Sequence, residues 1–248
     1  MNTEPTSPPS GLASPSCYAS SCGRVTLYLG DCLEIAPTLQ GVDAIITDPP
    51  YGMNLDPKWK KWNGAKQEWN KILGDDEKFD PSPWLAWEKV CMWGATYYSD
   101  RLPVGDWLVW DKRCSEQLDK MFGASLEAAW IRGKGTTHVL RMMHGGVVNA
   151  DSEKGNNAKR MHPTQKPTRL MSWSMEIVGV EESETVLDPY MGSGTTGIAC
   201  IRTGRRFVGI EKDPAHYATA VERIKRELSQ GDLFHSQHNK VLYESHKI

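Results

Sequence analysis

Apolar residues along this chain gather in short runs with strand spacing, and between several of them the spacing lengthens to that of a helix. The run "VTLYLGD" from Val25 to Asp31 predicts a strand ending in Gly-Asp, and "CLEIAPTL" after it a short helix interrupted by Pro37. "VDAIITD", Val42 to Asp48, predicts a buried strand. A helix start near Ser82, a strand near Val90 to Trp93, and further strands in "DWLVWDK" and "LEAAWIR" follow. From Gly133 to Met161 periodicity is lost and Gly, Asn, His and basic residues take over, which predicts a long loop region that binds something and adds nothing to the core. The pattern resumes at Thr168 with an amphipathic helix, "RLMSWSMEIV", then the strand "TVLDPYM", a glycine-rich turn, the helix "GIACIRTG", the strand "RFVGIEKD" and the helix "HYATAVERIKREL". Strands alternating with helices imply an α/β domain with a mostly parallel sheet covered on both faces.

The flanks lack this pattern. Residues 1–23 are rich in Ser and Pro and read as a disordered tail, and residues 229–248 read as a polar C-terminal tail, leaving one domain over 24–228. Its length suits a single α/β core. No apolar run approaches the roughly 18 residues of a membrane span and no signal-peptide pattern opens the chain, so a cytoplasmic protein without a membrane partner is expected. The six cysteines lack CxxC spacing and read as reduced thiols, with neither a metal site nor disulfides.

A formal net charge of −2 argues against a basic coat, yet the average hides a local excess. Between Arg132 and Arg169 eight basic residues (Arg132, Lys134, Arg141, Lys154, Lys159, Arg160, Lys166 and Arg169) face only Asp151 and Glu153. A second stretch, "KWKKWNGAKQEWNK" from Lys58 to Lys71, interleaves tryptophans with lysines. It fits either a solvated loop whose tryptophans close over the core or a nucleic-acid contact, where rings stack on bases and lysines neutralise phosphate.

Two motifs carry candidate chemistry. In "DPYMGSGTTG", Asp188 to Gly197, the glycines Gly192, Gly194 and Gly197 fit G-x-G-x-x-G between a strand and a helix, and Glu211 closes the next strand. That is the layout of a nucleotide crevice, where glycines let the backbone approach a ligand and the acid accepts from ribose hydroxyls. Thr195 and Thr196 follow Gly194 where a phosphate loop needs Lys, which removes the NTPase reading. A dinucleotide dehydrogenase stays open, but its glycine turn normally opens the nucleotide domain, and here only about one strand follows. The order is circularly permuted relative to an ordinary nucleotide-binding fold.

The second motif is "IITDPPYGM". A parallel sheet delivers strand ends to one crevice, so Asp48 and Asp188 are expected at the same sheet edge. Pro49 and Pro50 stiffen the backbone and remove donors, leaving the Asp48 carboxylate and the Pro49 carbonyl as a rigid pair of acceptors suited to one NH2 group. Tyr51 beyond them can lie flat against a base swung out of its stack. Holding both amino hydrogens frees the nitrogen lone pair for an electrophile.

With these residues the chain resembles the amino DNA methyltransferases, which move a methyl from S-adenosylmethionine to adenine or cytosine. Asp48-Pro49-Pro50-Tyr51 is similar to their catalytic motif, and "DPYMGSGTT" to their cofactor motif, with Tyr190 where Phe is more usual. "HPTQKP", His162 to Pro167, is similar to the segment preceding the cofactor motif in the β group, whose chain order (catalytic motif, recognition region, cofactor motif) is the order here. The resemblance spans most of residues 24–225. It implies a circularly permuted Rossmann-like methyltransferase fold with a doubly wound sheet, a DNA target-recognition insert within about 52–160, and site-specific methylation of double-stranded DNA of the restriction-modification type.

By the same resemblance Asp48 and Pro49 would accept from the target amine, Pro50 would stiffen the turn and Tyr51 would stack on the base. Asp188, Pro189, Gly192, Gly194 and Thr195 would line the methionine part of the cofactor, and Glu211 would hold its ribose. Asp31 would lie near its adenine, or be a plain strand-end aspartate. Thr164 and Lys166 would close over the methionine carboxylate, or Lys166 would be a phosphate contact. An Asp-initial motif goes more often with adenine N6 and a Ser-initial one with cytosine N4, so N6 is expected and N4 is the alternative. No Pro-Cys motif is present for attack on cytosine carbon, and transfer is expected to be direct. A catalytically silent DNA-binding module of the same fold is the rival from another class, and a homodimer is left open.

Overall fold

The computed structural model describes residues 16–53, 73–113, 124–143 and 166–244, with only the helix backbone beyond residue 230. The Trp/Lys stretch at Lys58–Lys71, Cys114 and Thr164 lie outside the described residues. Among the described residues nine strands form one sheet: β1 (Ser16–Ala19), β2 (Val25–Leu29), β3 (Ala44–Thr47), β4 (Lys89–Trp93), β5 (Asp106–Asp111), β6 (Leu126–Ile131), β7 (Thr137–Arg141), β8 (Thr185–Asp188) and β9 (Arg206–Glu211). Their spatial order is β1-β2-β9-β8-β3-β4-β6-β5-β7. From β2 to β4 every pairing is parallel, while β1, and β6 against both β4 and β5, run antiparallel.

β3 owes its central place to having no exposed position. Ala44 and Ile46 join the core on one face and Ile45 the core on the other. The first face is covered by three helices, α2 (Thr168–Val178), α3 (Thr195–Arg202) and α4 (Pro214–Glu244), which contribute Leu170, Met175, Ile198, Ala199, Ala220 and Ile224. α2 stops at Gly179, whose left-handed backbone (φ 75°) closes the last turn. The opposite face is covered by the one-turn helix α1 (Cys32–Ile35) and by short turns carrying Phe79, Trp84 and Tyr98. Cover on both faces is therefore present, but the long helices all lie on one side.

Four local expectations change. Ser16–Ala19, read as tail, pairs as an edge strand through Ser16↔Leu29 to Ala19↔Thr26. The helix start at Ser82 is a single 3₁₀ turn, Ser82–Trp84, confined by Pro81 and Pro83. The aperiodic region contains β7, an edge strand whose alternate positions Thr137, Val139 and Arg141 are exposed. α4 runs on to Glu244, through most of the expected polar tail. Among the described residues no helix is long and apolar enough to cross a membrane.

The close packing of α3 depends on Gly197. A Cβ there would stand 2.7 Å from the Phe207 ring and 2.8 Å from Ile224 Cδ1. Both neighbours are core residues without room to retreat. Gly197→Ala is expected to cost about 1–3 kcal/mol by overpacking, read as a lowered urea midpoint at unchanged m-value.

Candidate active site

β8 continues through α3 to β9 on one side, and β3 leads to β4 on the other. The sheet thus has its topological switch point between β3 and β8, where open parallel sheets bind ligands beyond the strand ends. Thr47 closes β3 and Asp188 closes β8, and the Thr47 hydroxyl donates to Asp188 Oδ1 at 2.6 Å. Asp188 also accepts from the Thr196 hydroxyl (2.6 Å) and the Tyr190 N–H (3.1 Å). Burial pushes its carboxyl up to about 6 against the pull of these donors. Its oxygens are thus engaged in shaping the glycine turn.

A cleft of about 540 Å³ opens over this junction. Of the sequence-predicted residues, Asp48, Pro49, Pro50, Tyr51 and Lys166 line it beyond β3, and Asp31, Asp188, Pro189, Gly192, Thr195 and Glu211 line it beyond β2, β9 and β8. Glu211 accepts the Gly192 N–H at 2.9 Å and the Asp213 N–H at 2.8 Å, and burial raises its carboxyl above the usual range. A side chain at Gly192 would meet nothing within 4 Å, so the turn presents open space to the cleft at that point. Asp31 caps α1 by accepting from the Leu33 N–H at 2.9 Å and pairs with Lys212 at 2.9 Å. Tyr190 sets its ring edge-on to Phe79 and Trp84, forming an aromatic wall.

Two residues make contacts beyond those expected. Gly194 holds φ +80° and a Cβ there would stand 3.2 Å from Ala220 Cβ, so between the lining residues Ser193 and Thr195 it starts α3 in the left-handed conformation and packs against α4. Lys166 neither reaches a surface phosphate position nor stands free to close over a ligand carboxylate. It is buried, with Nζ 2.8 Å from both Asp48 oxygens, 2.8 Å from the Tyr51 hydroxyl and 3.1 Å from Glu127 Oε2. Tyr51 donates to Asp48, and Lys112 pairs with the other oxygen of Glu127. Four alternating charges, Lys112, Glu127, Lys166 and Asp48, therefore run from the antiparallel strands to the Asp48-Pro49-Pro50-Tyr51 motif.

The alternation decides the protonation states. Burial would discharge Lys166, but Asp48 and Glu127 hold its ammonium protonated well above the usual lysine range. Burial would likewise raise Glu127, and Lys166 and Lys112 together bring it down to about 2. Burial pushes Asp48 up, and Lys166 and Tyr51 oppose the push.

The residues around this core carried no readable sequence signal. Glu127 is the second residue of β6, at its partly exposed start. Tyr97 lies parallel to Tyr51 with ring centroids 5.1 Å apart. Gly94 holds φ +72° and leaves the space that Tyr51 fills, since a Cβ there would stand 1.9 Å from the ring. Asp75 fastens the loop after the motif by accepting the Gly52 and Met53 N–H groups, each at 3.1 Å. Of the basic stretch, Arg132 is tied to the Leu85 and Trp87 carbonyls, while Lys134, Arg141 and Arg169 are exposed. Among the described residues no group of three or more His, Cys, Asp or Glu is arranged to hold a metal ion.

Comparison with known proteins gives this geometry its context. A family described as DNA methylase, of the N6/N4 class, matches residues 147–222. A protein of Escherichia coli strain K12 named as a methylase, YubD, is 28% identical over 217 residues, covering 82% of this chain and 92% of its own. The type II methyltransferase M.HinfI of Haemophilus influenzae is 24% identical over 254 residues, covering 81% of this chain and 68% of its own. Among solved structures, the cytosine-N4-specific PvuII DNA methyltransferase shares the fold, with a TM-score of 0.54 and 15% identity over 86% of this chain and 93% of that one.

The low pKa of Glu127 makes a pH prediction. Its folded value of about 2 lies below the ordinary 4.5, so its contribution to stability is fully present above pH 4.5 and fades as pH falls through about 2. The gap in urea midpoint between the native chain and Glu127→Gln is expected to be wide at pH 5.5 and to narrow toward pH 2.5. A gap independent of pH contradicts the assignment.

Proposed function

We infer that this chain, a DNA methylase of the N6/N4 family, moves a methyl group from S-adenosylmethionine to the N6 amine of an adenine swung out of duplex DNA. The observation that carries the reading is the convergence of two loops on one cleft: the Asp48-Pro49-Pro50-Tyr51 acceptors and the glycine turn with Glu211, joined through the Thr47–Asp188 bond.

The cleft residues fit the donor. Its volume lies in the range of small-molecule sites. Glu211 uses one lone pair of each oxygen on the backbone and keeps others for ribose hydroxyls. Open space at Gly192 lets a ligand approach the main chain. When bound, S-adenosylmethionine supplies an electrophilic methyl carbon on a sulfonium.

The chain supplies orientation and charge. Asp48 and the Pro49 carbonyl accept the two hydrogens of the amine, drawing its lone pair out of conjugation and aiming it along the transfer line. That nitrogen would take the methyl carbon of S-adenosylmethionine held at the glycine turn and Glu211 as the carbon–sulfur bond breaks, and the surplus proton of the amine would pass to water. Tyr51 offers a flat surface of the kind Tyr97 already uses at 5.1 Å, which suits an extruded base. Exposed Lys134, Arg141 and Arg169 are available for phosphate. The 52–160 interval remains the proposed recognition insert, within the 24–228 domain.

Three measurements test this. Asp48→Ala is expected to lower methyl transfer at least about a hundredfold while S-adenosylmethionine binding stays within about threefold by calorimetry; undiminished transfer removes the mechanism. S-adenosylmethionine should raise the unfolding temperature and NAD should not, separating this reading from a dehydrogenase. Mass spectrometry of nucleosides from DNA methylated by the enzyme should find N6-methyladenine, and 4-methylcytosine alone overturns the adenine assignment.

A further inference from the structure

The seat proposed for the target amine holds a cation belonging to the protein. Lys166 Nζ lies 2.8 Å from each Asp48 oxygen and 2.8 Å from the Tyr51 hydroxyl. Asp48 is one of the two acceptors the base amine requires, and Lys166 occupies both of its oxygens beside the hydroxyl of the ring proposed to stack on the base. An ammonium and an amine offer the same thing to Asp48, N–H donors on a nitrogen of similar size. Both cannot occupy the seat together.

A second place for the ammonium is prepared. Glu127 Oε2 is 3.1 Å from Nζ, within ion-pair distance but without a directed hydrogen bond, and it is buried. Its other oxygen is pinned by Lys112. A half-buried carboxylate with one fixed oxygen and one buried, under-used oxygen, beside a long flexible side chain, is an alternative anchor that needs only a small swing of that side chain. Without it, displacing Lys166 from Asp48 would strand a buried cation, which is strongly unfavourable.

We propose that Lys166 is a positioning residue that stands in for the target amine, keeping Asp48 ionised and aimed while the seat is empty and passing to Glu127 when the base arrives. This rests on the methyl-transfer reading above. It extends that reading by giving roles to Glu127 and Lys112, which lie outside both motifs. Withdrawal of the ammonium toward Glu127 also takes positive charge away from the nitrogen that becomes cationic during transfer.

The test is suppression of one variant by another. The full chain is assayed for single-turnover transfer of labelled methyl from S-adenosylmethionine to unmodified, PCR-amplified genomic DNA between pH 6 and 9. Glu127→Gln removes the alternative anchor and is expected to slow transfer at least tenfold at pH 8, with S-adenosylmethionine affinity within threefold. Adding Lys166→Met to it removes the competitor, so the double variant is expected to be at least fivefold faster than Glu127→Gln. Unfolding temperatures of both variants separate the two sources of recovery: transfer regained without regained stability reports a vacated seat, and transfer that merely follows stability reports relief of an uncompensated buried cation and overturns the proposal.

The acid limb of the pH profile gives an independent readout. Asp48 faces Lys166 from the start of α2, Glu127 from β6, Tyr51 from its own loop, Asp188 from β8, Cys91 from β4 and Tyr98 after it. Of these Lys166 is the cation, so Lys166→Met is expected to move the acid limb to higher pH. Glu127→Asp, a milder change, should slow transfer by an intermediate factor if Glu127→Gln does not fold.

The proposal is overturned if the double variant is slower than Glu127→Gln, if Glu127→Gln, or Glu127→Asp in its place, transfers as fast as the native chain, or if Lys166→Met leaves the acid limb unmoved. Absence of transfer by the native chain, on DNA of any sequence, would instead overturn the methyltransferase reading.

Discussion

One hydrogen bond, from the Thr47 hydroxyl to Asp188, ties together parts of the chain 141 residues apart. It exists because β3 and β8 lie side by side and parallel, with Ala44 opposite Val186 and Ile45 opposite Leu187. Parallel pairing puts both C-terminal ends on one edge, and the buried carboxylate has to find donors there. Asp188 takes three, from β3, from the glycine turn and from α3. The spacing of the two loops, and hence the cleft, follows from satisfying that one group.

A related rule governs the charges beside it. Lys112, Glu127 and Asp48 are half-buried and Lys166 is buried; the four alternate in sign, so each of them has an opposite neighbour. Burial of any one alone would favour its neutral form. An antiparallel strand makes the arrangement available. β6 enters between β4 and β5 against the direction of β4, so Glu127 near its start lies at the same sheet edge as the ends of the parallel strands.

The central strands and both motif loops were readable because their signals are local: apolar runs closed by Gly or Asp, and turn residues that permit few backbone paths. The edges were not. β1 is a four-residue edge strand of which Tyr18 alone packs on the core, and β7 has three of its five positions in solvent, so neither stands out from loop sequence. Gly194 fits a ligand-binding spacing, yet its conformation and its contact with Ala220 make it a packing glycine; the pattern alone does not separate these uses. Glu127, Tyr97 and Gly94 act through neighbours distant in sequence, and one of them, Glu127, is placed by strand order alone. Lys166 is expected at the site from its place in "HPTQKP", but which anion it pairs with is a matter of three-dimensional position.

The pairing of β2 with β9 has a consequence for how the chain is made. Val25 lies opposite Phe207 and Leu29 opposite Glu211, so a strand near the N-terminus finds its parallel neighbour only after some 180 further residues have been synthesised. At ribosomal speeds of about 5–20 residues per second, β2 and β3 wait on the order of ten seconds or more with their apolar faces uncovered. The nascent polypeptide therefore passes through a period of aggregation risk that its finished form does not display, and its yield in a cell depends on how well that interval is protected.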